Sequence, residues 1–83
     1  MEIEFDPAKD AANIAKHGLS LAEAVNMVPL IRFEDTRFEE TRYRAYGYLD
    51  GLPHCVAYTV REGKVRVISF RRAHEKEIRR HAP

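Results

Sequence analysis

The sequence holds a single cysteine, Cys55, within the apolar run Cys55-Val56-Ala57-Tyr58. That excludes an internal disulfide framework and any cysteine-based metal site, and makes a reducing cytoplasm the simpler setting. No apolar stretch approaches the ~20 residues of a membrane-spanning helix. The start Met1-Glu2-Ile3-Glu4-Phe5 has neither the basic residues nor the apolar run of a signal peptide, so no export or membrane association is expected. Gly-rich phosphate loops and a G-x-S-x-G elbow are missing, which argues against nucleoside-triphosphate and serine-hydrolase chemistry. His54, His74 and His81 have no neighbouring Cys and no paired His at ligand spacing, so neither a structural metal nor a cofactor is expected. There is no repeat, low-complexity tract or Gly/Ser linker, and the Gly and Pro residues are scattered singly. With 83 residues and 45% hydrophobic content, the chain suits one compact domain, 1–83, around one core.

The formal charge of +1 hides an asymmetry. Residues 1–60 carry six Lys and Arg against ten Asp and Glu, a balance of −4, whereas residues 61–83 carry eight against three, a balance of +5. A basic block of this kind can collect phosphates by releasing counterions, and it can equally be a solvated face or a dock for an acidic partner.

Periodicity predicts an α+β fold. Ile3-Glu4-Phe5 alternates as a short strand, and Asp6-Pro7 supplies an N-cap and a first-turn proline for a helix from 7 to about 16, closed by Gly18. Ala8, Ala11, Ala12 and Ala15 make a narrow stripe suited to packing on a neighbour. Ser20-Leu21-Ala22-Glu23 matches a capping box, and Leu21, Ala24, Val25 and Val28 repeat as a second helix that Pro29 stops. Strands are expected at 30–33, 42–49, 54–61 and 64–70, with an exposed loop at 34–40. Asp50-Gly51-Leu52-Pro53 and Glu62-Gly63 turn the last three strands into a meander. A short C-terminal helix at 73–81 completes an antiparallel sheet of about four strands.

Candidate chemistry falls in two places. Lys9, Asn13 and Lys16 lie at i, i+4 and i+7 of the first helix, with His17 beside Asn13. Two ammonium groups, an amide and an imidazole suit a phosphate and its leaving group, although amphipathic helices carry such polar faces routinely. In the last strand, alternation sets Arg66, Ile68 and Phe70 on one face and Val65, Val67 and Ser69 on the other. Arg66 is then a positioned cation or a snorkelling edge residue, and Arg71 and Arg72 follow it, either as phosphate forks or as ion-pair partners of Glu75 and Glu77. Tyr46, Tyr48 and Tyr58 are base-stacking candidates or core residues with a wet hydroxyl.

Phe5-Asp6-Pro7-Ala8-Lys9, Asn13, Lys16-His17-Gly18-Leu19-Ser20 and Glu23-Ala24 resemble the opening signature of the BrnT family. Arg42, Gly47, Tyr58-Thr59-Val60-Arg61, Arg66-Val67-Ile68-Ser69 and Arg71-Arg72-Ala73 continue it in order. Phe5 stands where family members often have Trp, and nothing is carried onto 34–41, which varies among them. The resemblance implies a RelE-like fold and a toxin of a type II toxin-antitoxin system that cuts RNA and arrests translation. It also implies a BrnA-like antitoxin whose ribbon-helix-helix part binds DNA, the toxin reaching DNA only through that hetero-oligomer.

Together with the residues, this gives a metal-independent transesterification by the ribose 2′-hydroxyl. Lys16, Arg61 and Arg66 would stabilise charge, and Lys9, Arg71 and Tyr58 would position RNA, with Asn13 and Arg72 as further contacts. His17 would do acid-base work, or serve only as a cation at a helix C-terminus. A non-catalytic RNA-binding module is the alternative. A DNA-binding regulator acting alone fits poorly, because 73–81 follows no helix-turn-helix pattern.

Overall fold

The computed structural model describes residues 2–81. In chain order its elements are β1 (Ile3–Glu4), α1 (Pro7–His17), a 3₁₀ helix (Leu21–Asn26), β2 (Val28–Asp35), β3 (Arg42–Leu49), β4 (Leu52–Arg61), β5 (Lys64–Arg72) and α2 (Glu75–His81). The strands form one sheet in the order β1-β5-β4-β3-β2. Among the described residues no helix is long and apolar enough to cross a membrane.

The sheet has five strands rather than about four, and it is mixed. β1 joins it parallel to β5, with Ile3 opposite Val65 and Glu4 opposite Arg66. The strand itself is the one expected at Ile3-Glu4-Phe5, but so short a segment does not announce which strand it joins or in which direction. Both tight turns form as the sequence predicts, with Asp50-Gly51 and Glu62-Gly63 in the left-handed region that a two-residue hairpin of right-twisted strands demands. Leu52 and Pro53, expected in the first turn, belong to β4 instead.

α1 has the caps its sequence announces: the Asp6 carboxylate accepts from the Ala8 N–H at 2.9 Å, and Gly18 closes the helix at φ 73°. Its orientation reverses the expectation. Ala8, Ala11, Ala12 and Ala15 are exposed, while Asp10, Asn13 and His17 face the body. Two polar side chains decide this. Asp10 accepts from Ser20 Oγ at 2.9 Å and from the Leu21 N–H at 2.7 Å, capping the next helix. Asn13, 7% exposed, donates to Leu19 O and Phe70 O at 2.8 Å each and accepts from the Phe70 N–H at 3.2 Å. β1 reaches along β5 only to Arg66, so beyond that point the Asn13 amide replaces a neighbouring strand's peptide group.

The second helix is 3₁₀ rather than α, and β2 begins already at Val28. A period of three aligns Leu21, Ala24 and Met27 on the core instead of the α-helical set containing Val25 and Val28, which are exposed. β2 then passes so close to β3 that a Cβ on Gly47 would collide with the Val28 carbonyl and sit 2.9 Å from Pro29 Cα. The register slips at the same place, between Pro29 and Ile31.

A β-bulge also changes the reading of β5. Ser69 pairs with Ala57 but Val67 pairs with Tyr58, leaving Ile68 as an extra residue. Phe70 therefore joins Val65 and Val67 in the main core with Leu21, Met27, Ala45, Val56 and Tyr58, instead of sharing a face with Arg66. A smaller cluster of Tyr46, Cys55, Ala73 and Ile78 holds α2 against the opposite face of the sheet.

Candidate functional site

β4 runs without a bulge, so Cys55, Ala57, Thr59 and Arg61 project from one face, the face opposite α1. Cross-strand partners share it. Arg44 and Ser69 flank Ala57, Arg66 flanks Thr59, Lys64 faces Arg61, and Tyr46 and Arg71 flank Cys55. Arg42, two residues before Arg44 on β3, takes the same side. The result is a trough with a floor of small residues, Ala57, Thr59 and Ser69, walled by Arg42, Arg44, Arg61, Arg66 and Arg71. Adjacent strands lie ~4.8 Å apart, so arginines from three strands stand within side-chain reach of that floor.

Carboxylates hold most of these groups. Arg44 Nε lies 3.2 Å from Asp35, Arg61 Nε 2.9 Å from Glu40, Arg66 3.5 Å from Glu4, and Arg71 2.9 Å from Glu77. Asp35 also takes both Nε, at 2.8 Å, and Nη2 of Arg37. Those bonds hold the Asp35 carboxyl far below the usual carboxylate range, with Arg37 the main cause. The Arg71 guanidinium and the His74 N–H hold Glu77 down to about 2, and Arg61 lowers Glu40. Arg42 stacks its guanidinium on Phe38 at 3.9 Å, and its Nε is, among the described residues, a buried polar atom with no partner. Thr59 donates to the Thr41 carbonyl at 2.8 Å, which fixes the floor to the segment entering β3.

The helix candidates gather separately. Lys9, Ala12, Asn13, Lys16 and His17 line a groove of about 190 Å³ whose other wall is Ile68 and Ser69 of β5. Ser69 is also part of the trough floor, so the lysine groove and the arginine face meet along β5. The remaining candidates stand elsewhere. Asn13 lies at the back of the groove with its amide already bonded to backbone, because it closes the open edge of β5. Tyr58 is a buried core residue stacked on Tyr43 at 5.4 Å, on the helical face of the sheet rather than beside the arginines. Arg72 pairs in register with His54 and so projects from the opposite face to Arg71, exposed. Of the two expected partners for the arginine pair, Glu77 takes Arg71, and Glu75 accepts from the Tyr48 hydroxyl instead.

Arg42 and Arg44 were missed as site residues. Their i, i+2 spacing is visible in the sequence, but only the β3–β4 register shows that it points them at Ala57 and Thr59. Among the described residues no three His, Cys, Asp or Glu side chains form a metal-binding group. A second cleft, about 340 Å³ on the helical face, is lined by apolar side chains and Arg32, a poor surface for a polyanion.

A search of curated proteins finds no match. Among solved structures the chain is similar to the Brucella abortus ribonuclease toxin BrnT, with 28% identity, a TM-score of 0.71, and coverage of 90% of this chain and 99% of that one. The family model for the ribonuclease toxin BrnT of type II toxin-antitoxin systems matches residues 5–77. The chain belongs to the BrnT family of ribonuclease toxins.

Proposed function

We propose that this protein is a RelE-like endoribonuclease that cuts RNA in the cytoplasm without a metal, arrests translation, and is neutralised by a BrnA-like ribbon-helix-helix antitoxin in a hetero-oligomer that alone contacts DNA. The observation that carries the reading is the trough, in which five arginines surround a floor of Ala57, Thr59 and Ser69. A phosphodiester laid over small side chains lets guanidinium groups approach its nonbridging oxygens from both sides. Rigid, forked donors already in place suit the extra negative charge of a pentavalent phosphorane.

In the proposed step the RNA supplies the nucleophile. The 2′-oxygen forms a bond to the adjacent phosphorus as the bond from phosphorus to the 5′-oxygen breaks, giving a 2′,3′-cyclic phosphate and a 5′-hydroxyl. One proton leaves the 2′-hydroxyl and another reaches the departing 5′-oxygen. Arg61 and Arg66 stabilise charge from β4 and β5, joined by Arg42 and Arg44 from β3, and Arg71 holds a neighbouring phosphate. Lys16 and Lys9 extend the cationic track into the edge groove, where His17 is the group that exchanges protons. Asn13 supports this groove by fixing α1 to β5, Tyr58 supports the trough from beneath, and Arg72 touches RNA only if the strand wraps past the end of β5.

The test is cleavage of a labelled RNA by purified protein in EDTA, with the product ends mapped. New 5′-hydroxyl termini are expected, and Arg66→Ala should lower the rate about 10²–10³-fold, the usual effect of removing one preorganised charge stabiliser. Tight RNA binding with no new termini would instead establish a non-catalytic binding module. An adjacent reading frame for a small ribbon-helix-helix protein would support the antitoxin assignment.

A further inference from the structure

The face that carries the trough has a second cleft beside it, of about 390 Å³, lined by Phe33, Asp35, Arg37, Arg44, Tyr46 and His81. We propose that this cleft is a nucleobase subsite selective for guanine in the RNA strand that the arginine trough holds. The proposal rests on the RNA reading above and adds a base preference to it.

Glu34 and Thr36 also line the cleft, but its fixed donors are the two arginines. Asp35 binds Nε of both arginines, at 2.8 Å for Arg37 and 3.2 Å for Arg44, and also accepts from Arg37 Nη2 and the Arg37 N–H. Its acceptor capacity is used, and its carboxylate stays ionised because Arg37 holds its pKa down. Among the described residues Arg37 Nη1 and Arg44 Nη2 have no hydrogen-bond acceptor, whereas Arg44 Nη1 lies 3.9 Å from Cys55 Sγ. Two pinned guanidinium groups with spare N–H bonds call for a base edge that presents adjacent acceptors. On the edge away from the sugar guanine offers O6 and N7 together, adenine has one acceptor beside a donor, and uracil's two carbonyls are separated by an N–H; cytosine's O2 and N3 also lie side by side, but O2 adjoins the ribose, which leaves an arginine fork less room.

The apolar side of the cleft suits a flat ring. His81 stacks on Phe33 at 4.6 Å and on Tyr46 at 5.2 Å, making a slab of aromatic rings with the exposed His81 as its outer member. Aromatic rings of this kind carry unstacked RNA bases. Arg44 belongs to both sites, lining the cleft while standing opposite Ala57 on the trough floor. A base in the cleft therefore belongs to a nucleotide next to the phosphate in the trough.

The experiment measures binding of guanosine, adenosine, cytidine and uridine 3′-monophosphates to the full chain, alongside mapping of the ends produced from a random-sequence RNA. Guanosine 3′-monophosphate should bind about tenfold tighter than the other three, the usual discrimination of one forked arginine contact. Arg37→Ala should erase that preference. Arg37→Lys should erase it too, since it keeps the charge and loses the fork. Arg37→Ala leaves the buried Asp35 with Arg44 as its one charged partner and should lower the melting temperature, so binding is measured well below the transition, and Arg37→Lys, which keeps a cation beside Asp35, should melt closer to wild type. His81→Ala should weaken all four nucleotides together. Equal binding of the four, or a guanine preference that survives both Arg37 variants, overturns the proposal. The mononucleotides contain no bond to be cut, so the two readings fail separately. RNA cut without a guanine bias removes the base subsite alone, whereas selective binding of the guanine nucleotide without cleavage of any RNA sustains it while removing the ribonuclease reading.

Discussion

Asn13→Ala separates a structural amide from an RNA contact. In the folded chain this side chain occupies both hydrogen-bonding groups of Phe70 on the open edge of β5, together with the carbonyl of Leu19. Alanine leaves the Phe70 N–H and C=O unpaired at a buried position. Each orphaned buried group costs roughly 1–3 kcal/mol, and partial entry of water at the edge puts the total near about 3 kcal/mol. In a domain of this size ~1 kcal/mol moves the melting temperature by ~4–8 °C, so a loss of about 12–24 °C is expected by circular dichroism. Asn13→Asp should be worse at neutral pH, because it sets a carboxylate against two carbonyl oxygens, and should recover in part as acid protonates it. RNA binding measured well below the melting transition should stay near wild type, with any loss of cleavage smaller than that of Arg66→Ala. A melting temperature that moves by less than about 4 °C, accompanied by lost RNA binding, would show that the amide serves RNA and that the edge-closing argument is mistaken.

Three further outcomes follow from the same contacts. Glu77 titrates near 2 in the folded chain against an ordinary 4.5, so its pair with Arg71 contributes fully above about 4.5 and fades as pH falls toward 2. Glu77→Gln should cost about 1–2 kcal/mol near neutrality and flatten the acid limb of a stability-against-pH curve in that window, and an unchanged limb would refute the pairing. Gly47→Ala should destabilise the chain by about 1–3 kcal/mol in urea denaturation, since the new methyl meets the backbone of Val28 and Pro29 rather than a movable side chain. Glu4→Gln frees Arg66 from a pair 3.5 Å long and half open to solvent. RNA affinity should rise up to about fivefold at low salt, and a fall would mean that the carboxylate positions Arg66 instead of competing for it.

The local signals in the sequence were dependable wherever a single residue's chemistry decides the backbone. Asp6-Pro7, Gly18, Asp50-Gly51 and Glu62-Gly63 all act as their side chains dictate. What the sequence hid were choices between elements. The alanines of α1 read as a packing stripe, yet β5 has an unfilled edge and the Ser20–Leu21 backbone needs a cap. Asn13 and Asp10 satisfy those needs and turn the helix over. The Ile68 bulge is likewise silent, since it depends on how β5 meets β4, and one inserted residue moved Phe70 to the core face and put Arg71 rather than Arg72 on the side of Arg66. The arginines of the trough were half legible. Arg61, Arg66 and Arg71 lie in the basic terminal quarter that charge counting finds, while Arg42 and Arg44 come from the acidic part and enter the site only through register.

The carboxylates on the trough divide its arginines into two kinds. Asp35 and Glu77 are mostly buried, and each accepts from its arginine and also from a backbone N–H. A phosphate that took Arg71 would leave Glu77 without its charged partner, and one that took Arg44 would strip a donor from the buried Asp35, each costing more than the exchange returns. Arg44 and Arg71 are therefore fixed donors, aimed before any ligand arrives, which is what transition-state stabilisation requires. Glu40 is exposed and Glu4 half-buried, and Arg61 and Arg66 reach them across pairs still accessible to solvent. Such pairs are worth at most about 1 kcal/mol, so a phosphate oxygen that offers a stronger acceptor takes the guanidinium and the released carboxylate simply hydrates. The exchangeable arginines thus keep the empty face from repelling itself yet remain available to a polyanion, while the fixed ones hold the geometry. In the proposed reaction, ionic strength weakens RNA capture through Arg61 and Arg66, which stabilise charge at the scissile phosphate once Glu40 and Glu4 have released them, while Arg44 and Arg71 stay where Asp35 and Glu77 hold them and keep the strand in place.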